Sequence, residues 1–302
     1  MSTDRPRSLA EELRSRSDAE LAGLLRARPD LVNPVPSDLA SLAARAATRP
    51  SVQRALDRLD LFGVQVVEVL CALPDPVVPA RVAELLGADP TERMAALHEQ
   101  ALLYGDPGAP FLLRTVREVV GNPAGLGPPV EQALAAYGPA RLQQLVADLG
   151  LPAGGDPVAA AHDVGVLFAD DDRLDALMAG ASPEAQAALA ALAWGPPTGR
   201  VERARRDVDA ASAGTPVEEL LARGLLVATE PITVVLPREV GLRLRGGRVH
   251  EAALPAAPAL DLTPRDPHEV DRTAAGAAFA FIRGVEDLLE LWGTEPAKVL
   301  RA

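Results

Sequence analysis

The side chains that could carry chemistry are few and poorly spaced for it. Four histidines stand at 98, 162, 250 and 268, and no two are four residues apart, the separation that sets two metal ligands on one helical face. His98, beside Glu99, reads as a helix surface residue. His162 beside Asp163 has the makings of an oriented imidazole base, but no Ser or Cys nucleophile lies in a motif near it, and solvent contact is its expected fate. Cys71, the single cysteine, sits in the apolar run Val69-Leu70-Cys71-Ala72-Leu73 with no cation adjoining it, and reads as buried and inert. One cysteine also excludes an internal disulfide framework and a Cys-based zinc cluster.

Carboxylates invite the same scrutiny. Asp170-Asp171-Asp172 precedes Arg173-Leu174 and suits a helix start, where Asp caps the amides and the macrodipole favours negative charge. The alternating ligands, central Gly and closing Glu of a calcium loop are missing there. Glu11-Glu12, Glu218-Glu219 and Asp207 with Asp209 fall on expected helices as solvated faces. Lys298 is the only lysine and lies in Glu295-Pro296-Ala297-Lys298-Val299, so GxxxxGK[ST] cannot be formed. The expectation is a protein that is not an enzyme and holds no cofactor or metal.

Arginine is the one residue type with a functional pull. Arg200, Arg203, Arg205 and Arg206 gather in one stretch, Arg223 follows, and Arg238, Arg243, Arg245 and Arg248 close the block. As a nucleic-acid-binding set, Arg200, Arg203, Arg206, Arg223, Arg238, Arg243, Arg245 and Arg248 would hold phosphates of a DNA backbone in a salt-sensitive way. The neutral alternative is a salt-bridged surface that packs on a neighbouring domain.

Charge distribution narrows where a polyanion could bind. The chain carries 30 Lys+Arg against 42 Asp+Glu, a net charge of −12. Residues 1–60 hold 10 bases and 9 acids and residues 183–250 hold 9 and 8, whereas 121–182 hold 2 and 8. Only residues 1–60 and 183–250 could meet DNA without a charge penalty.

The elements that must position these residues are mostly helices. Ser17-Asp18-Ala19-Glu20 is a capping box ahead of Leu21, Leu24 and Leu25, and Ser37-Asp38 and Pro50-Ser51 open two further helices. From Leu61 the pattern predicts three helices, the last through Met94, Leu97 and Ala101. Leu102-Leu103-Tyr104, Gly105-Asp106-Pro107-Gly108 and Phe111-Leu112-Leu113 then form a β-hairpin. Three helices and a hairpin make a winged-helix arrangement. The order returns at Pro183, with helices expected from Pro183, over Val201–Val208 and over Pro216–Arg223, then a hairpin around Glu230-Pro231. Leu102-Leu103 matches Leu225-Leu226 at an offset of 123, and Arg117-Glu118-Val119 matches Arg238-Glu239-Val240 at 121, an internal duplication. The helices meant to read bases offer Glu92, Arg93 and Glu99 in one copy and Glu218, Glu219 and Arg223 in the other, a poor set for sequence-specific recognition.

The expected fold is therefore mainly α with small β-hairpins: two winged-helix-like modules joined by a helical spacer. Its parts are an N-terminal helical segment (1–60), module 1 (61–121), the spacer (122–182), module 2 (183–250), and a linker with a C-terminal helix (251–302) carrying Phe279, Ile282, Val285, Leu288 and Leu289 on one face. The N-terminus lacks an apolar leader core and no stretch nears the ~20 apolar residues of a membrane span, so a cytoplasmic protein without a membrane partner is expected.

Ser17-Asp18-Ala19-Glu20-Leu21 through Leu31, Pro36-Ser37-Asp38-Leu39 through Arg45, Leu192-Ala193-Trp194-Gly195-Pro196-Pro197-Thr198-Gly199 and Leu288-Leu289-Glu290-Leu291-Trp292-Gly293-Thr294-Glu295-Pro296 together resemble an actinobacterial helicase-associated domain family. The resemblance spans most of the chain and rests on Leu/Ala/Arg-rich helices. It implies an association with DNA repair or processing and with XPB-type helicases, as an accessory or adaptor whose partners are DNA, a helicase or another DNA-processing protein. It transfers no catalytic residue. The alternative expectation is a protein–protein scaffold without direct DNA binding.

Overall fold

Capping chemistry sets most helix starts in the computed structural model, which describes residues 8–152, 156–206, 208–209, 212–257 and 263–293. Asp207, Lys298 and the stretches 258–262 and 294–296 lie outside the described residues. Helices α1 (Leu9–Ser15) and α2 (Asp18–Ala27) each begin with a reciprocal capping box, Ser8 with Glu11 and Ser17 with Glu20. Asp38 caps α3 (Leu39–Ala46), and α4 (Arg49–Leu56) carries Pro50 in its first turn. Asp60 caps α5 (Leu61–Ala72), the most buried helix, and α6 (Pro79–Leu86) stops at Gly87 with φ +73°. Then come α7 (Thr91–Glu99), the hairpin β1 (Leu103–Tyr104) and β2 (Phe111–Leu112), and α8 (Arg114–Val120).

The second half adds α9 (Val130–Leu134), α10 (Pro139–Asp148), α11 (Pro157–Ala169) and α12 (Asp171–Ala179). Asp170 caps α12 by accepting from the Arg173 amide at 3.1 Å, the role its position implied. After α13 (Pro183–Leu192) the chain forms β3 (Thr198–Arg200), α14 (Pro216–Ala222), β4 (Val227–Glu230), β5 (Thr233–Val235) and α15 (Arg238–Leu244), with β3-β5-β4 an antiparallel sheet. The described chain is thus mainly helical with small antiparallel sheets.

One expected helix is replaced. Across Val201–Val208 the described residues form turns. Pairing with the following hairpin decides this: the Val201 amide donates to Ile232 O at 3.0 Å and the Ala204 amide to Pro231 O at 2.9 Å, leaving neither for an i−4 carbonyl. The two stretches expected to repeat do not keep one register. Ala101 (φ +56°) and Gly224 (φ +70°) hold the same left-handed position before the first hairpin strand, 123 residues apart. The helices after the hairpins start at Arg114 and Arg238, 124 apart. Arg117 is therefore the fourth residue of its helix and Arg238 the first of its own, and the 121-residue match is not structural equivalence.

Residues 1–256 form one unit and residues 257–302 another. Within the first, the buried apolar side chains form two clusters. One runs from Leu9 to Leu126 and includes Val249, so α1–α4 and α5–α8 share a core. The other runs from Val130 to Val240 and joins α9–α12 to α13–α15.

The second unit holds one described element, α16 (Pro267–Trp292), started by Pro267 behind the Asp266 cap. Val270, Ala274, Ala277, Phe281, Val285, Leu288 and Trp292 recur along it with an eleven-residue period, which keeps one stripe straight along a helix. With Ile282 and Leu289 they give an apolar arc of roughly half the circumference. Phe279 is about 200° from Phe281 and leaves the face expected for it. No described helix is long and apolar enough to cross a membrane.

Candidate nucleic-acid interface

Geometry divides the eight arginines into three groups. Arg238 and Arg245 are internal ties. Arg238 starts α15 and donates to Cys71 O at 3.2 Å, Ala72 O at 3.3 Å and Gly127 O at 3.3 Å, joining α15 to the end of α5. Arg245 is 7% exposed; it donates to Ala193 O at 2.5 Å, Ala124 O at 3.0 Å and Val249 O at 3.1 Å, with its guanidinium 4.5 Å from the Trp194 ring centre. Burial lowers the pKa of both, and carbonyl oxygens supply the compensation that carboxylates would otherwise give.

Around these two ties the apolar clusters are seamed together. The Val249 amide donates to Leu85 O, Gln65 donates to Ala252 O and accepts from the Leu254 amide, and His250 Nε2 stands 3.4 Å from Glu68. Burial lowers the His250 pKa against the opposing pull of the Glu68 carboxylate.

A second group is paired with acids. Arg243 binds both oxygens of Asp175, and Arg206 meets Glu218 at 2.7 Å. Arg223 meets Glu219 at 3.2 Å and Gly180 O at 2.6 Å. The hydrogen bond from Arg243 holds the Asp175 carboxyl below its usual range. Arg200, Arg203 and Arg248 make up the third group: each is exposed and has no ion pair among the described residues. Arg205, from the same stretch, is exposed and donates to Thr229 O.

The helices expected to read bases are engaged elsewhere. Helix α7 packs on α2; Arg16 holds its last carbonyls, Arg93 pairs with Asp60 at 2.5 Å, and His98 Nε2 lies 3.2 Å from Gly105 O. His98 is thus half-buried rather than a surface residue. On α14, Glu219 accepts from the Ser182 amide while Glu218 accepts from that of Gly214. These bonds keep both carboxyls below their usual range.

Cys71 is buried, and although Arg117 and Arg238 do come near it, desolvation pushes its thiol up to about 12. His162 faces Glu131 at 3.5 Å and not Asp163. Among the described residues no group of three His, Cys, Asp or Glu could hold a metal.

Two side chains that the sequence did not single out prove central. Arg28 is fully buried and donates to Gln100 O, Ala46 O and Ser51 Oγ. Arg141 donates to Val208 O at 2.6 Å and Leu221 O at 3.0 Å and lies over Tyr137. The signal for Arg141 was its isolation: it and Arg173 are the only bases in 121–182. Comparison with protein-family models, curated proteins and solved structures finds no match to this chain.

Proposed function

We propose that the chain is a non-enzymatic adaptor that works by docking another protein, through α16, onto a platform made by residues 8–256. The observation that carries this reading is the half-apolar circumference of α16, which no other described element of its own unit covers. A two-stranded seam needs a narrower stripe, so the arc suits a groove that walls the helix on two sides. Five acids (Glu269, Asp271, Glu286, Asp287, Glu290) against Arg272 and Arg283 favour an apolar groove rimmed by Lys or Arg and disfavour an anionic membrane.

The helix-and-hairpin order of α5 to β2, and the three strands accompanying α13 and α14, support two winged-helix-like modules as the platform. The resemblance to helicase-associated domains supplies the setting, a cytoplasmic DNA-processing assembly with a helicase or related protein as partner. Phe281→Glu with Leu288→Glu should abolish capture of a specific protein from nuclease-treated lysate, as should removal of residues 257–302. An unchanged set of captured proteins in both variants would overturn the reading.

Direct DNA contact is the second reading, favoured by Arg200, Arg203 and Arg205 standing exposed in and after β3. It would be backbone-directed. Replacing all three by Ala should weaken duplex binding by one factor for every sequence and flatten the salt dependence by about 0.9 in log-log slope per lost phosphate contact. Unaltered binding at low salt would remove it.

A further inference from the structure

Three arginines and a tyrosine line one small cavity in the second half of the platform. Its volume is about 240 Å³, and Tyr137, Gly138, Arg141, Arg205 and Arg206 line it over a floor that includes Leu221 and Ala228. We propose that this cavity is a binding site for a phosphate group, either free phosphate or the head of a small phosphomonoester.

The charge balance is the first argument. Arg206 is answered by Glu218 at 2.7 Å, whereas Arg141 is held by two carbonyls and the Tyr137 side chain, and Arg205 by the Thr229 carbonyl. Two guanidinium side chains that line one hollow and are held by carbonyls make it attractive to an anion. A phosphomonoester carries about −1.5 to −2 at neutral pH and matches that excess, which a monocarboxylate does not.

Donor supply is the second. Arg206 Nε is buried without a hydrogen-bond partner. Arg141 is held in place by two carbonyls and by the Tyr137 ring 5.4 Å away, so its remaining N–H groups are pre-oriented at little entropic cost. Tyr137 Oη accepts from the Ala228 amide at 3.4 Å, and burial raises its pKa, which keeps the O–H as a donor.

Size is the third. Drug-sized ligands occupy roughly 300–1,000 Å³, so this cavity suits a phosphate with a few further atoms. The site is independent of α16 and of the adaptor reading, since every lining residue lies between 136 and 228.

The test uses the full chain with ring-labelled tyrosine, of which there are two residues, and Tyr137→Phe assigns the signal. Inorganic phosphate and glycerol phosphate are titrated at constant ionic strength against chloride. Saturable one-to-one shifts of the Tyr137 signal, absent with chloride, are expected. Arg205→Gln, whose side chain is exposed and makes one carbonyl contact, should weaken binding about tenfold, and Arg141→Gln at least as much, while the distant Arg248→Gln leaves it unchanged. Should Arg141→Gln fail to fold, Arg205→Gln still decides. Linear shifts identical to those with chloride, or full affinity in Arg205→Gln, would overturn the assignment. Perturbation by a short DNA duplex but not by either phosphate compound would overturn it too, because the arginines would then serve a nucleic-acid backbone.

Discussion

A buried guanidinium that donates only to carbonyls is a structural fastener, and removing it leaves the carbonyls without partners in a dry environment. Arg245→Met should therefore destabilise the platform by about 2–4 kcal/mol in urea titration, the range for several buried acceptors left unsatisfied. Trp194 emission should shift at the same time, because its ring loses the cation above it. His250 provides a pH test. Its folded pKa lies below the unfolded value of about 6.5, so on acidification the unfolded chain takes the proton first. Stability is then complete above about pH 6.5 and falls as pH drops through the folded pKa. His250→Gln should flatten that part of the pH–stability curve, and an unchanged curve would mean that burial does not control this residue. At this scale residue type was readable from the sequence but role was not. Arg243 and Arg245 are two residues apart, yet one pairs with Asp175 and the other with three carbonyls, because α15 turns them to different neighbours.

Elements were legible where a local rule decides them. Capping boxes at Ser17 and the aspartate at 170 start helices where the sequence places them, since donor and acceptor lie within one turn. The turn over 202–205 was not legible, because the amides of Val201 and Ala204 are claimed by residues about 30 positions later. Two glycines carry testable demands. A Cβ on Gly127 would stand 2.0 Å from the backbone oxygen of Leu236, so Gly127→Ala must move backbone and should cost about 2–4 kcal/mol. Gly224→Ala meets only ordinary contacts with Leu145 and Phe168, and its penalty should be limited to about 1–2 kcal/mol for the left-handed φ. Thermal unfolding of the two variants would rank them.

Over the whole molecule, two apolar clusters drawn from residues 9 to 249 carry the fold. A chain ending at Ala256 should accordingly keep the melting temperature of the 8–256 platform within about 2 °C, a shift of at most ~1 kcal/mol for a body this size. The same truncation should lose the partner. A large drop in melting temperature would show instead that the last 46 residues belong to the platform's core.

The sequence by itself determined the helical class, the placement of most helix starts, the poverty of catalytic groups and the amphipathic end, because each depends on composition or on residues within one or two turns. Tertiary structure alone decided which arginines are free. A guanidinium is compatible with a phosphate, a carboxylate or a carbonyl, and the choice among them rests on what long-range packing brings within hydrogen-bonding distance: carbonyls of α5 and of the 124 and 193 turns for Arg238 and Arg245, acids for Arg206 and Arg243, and a small open cavity for Arg141 and Arg205.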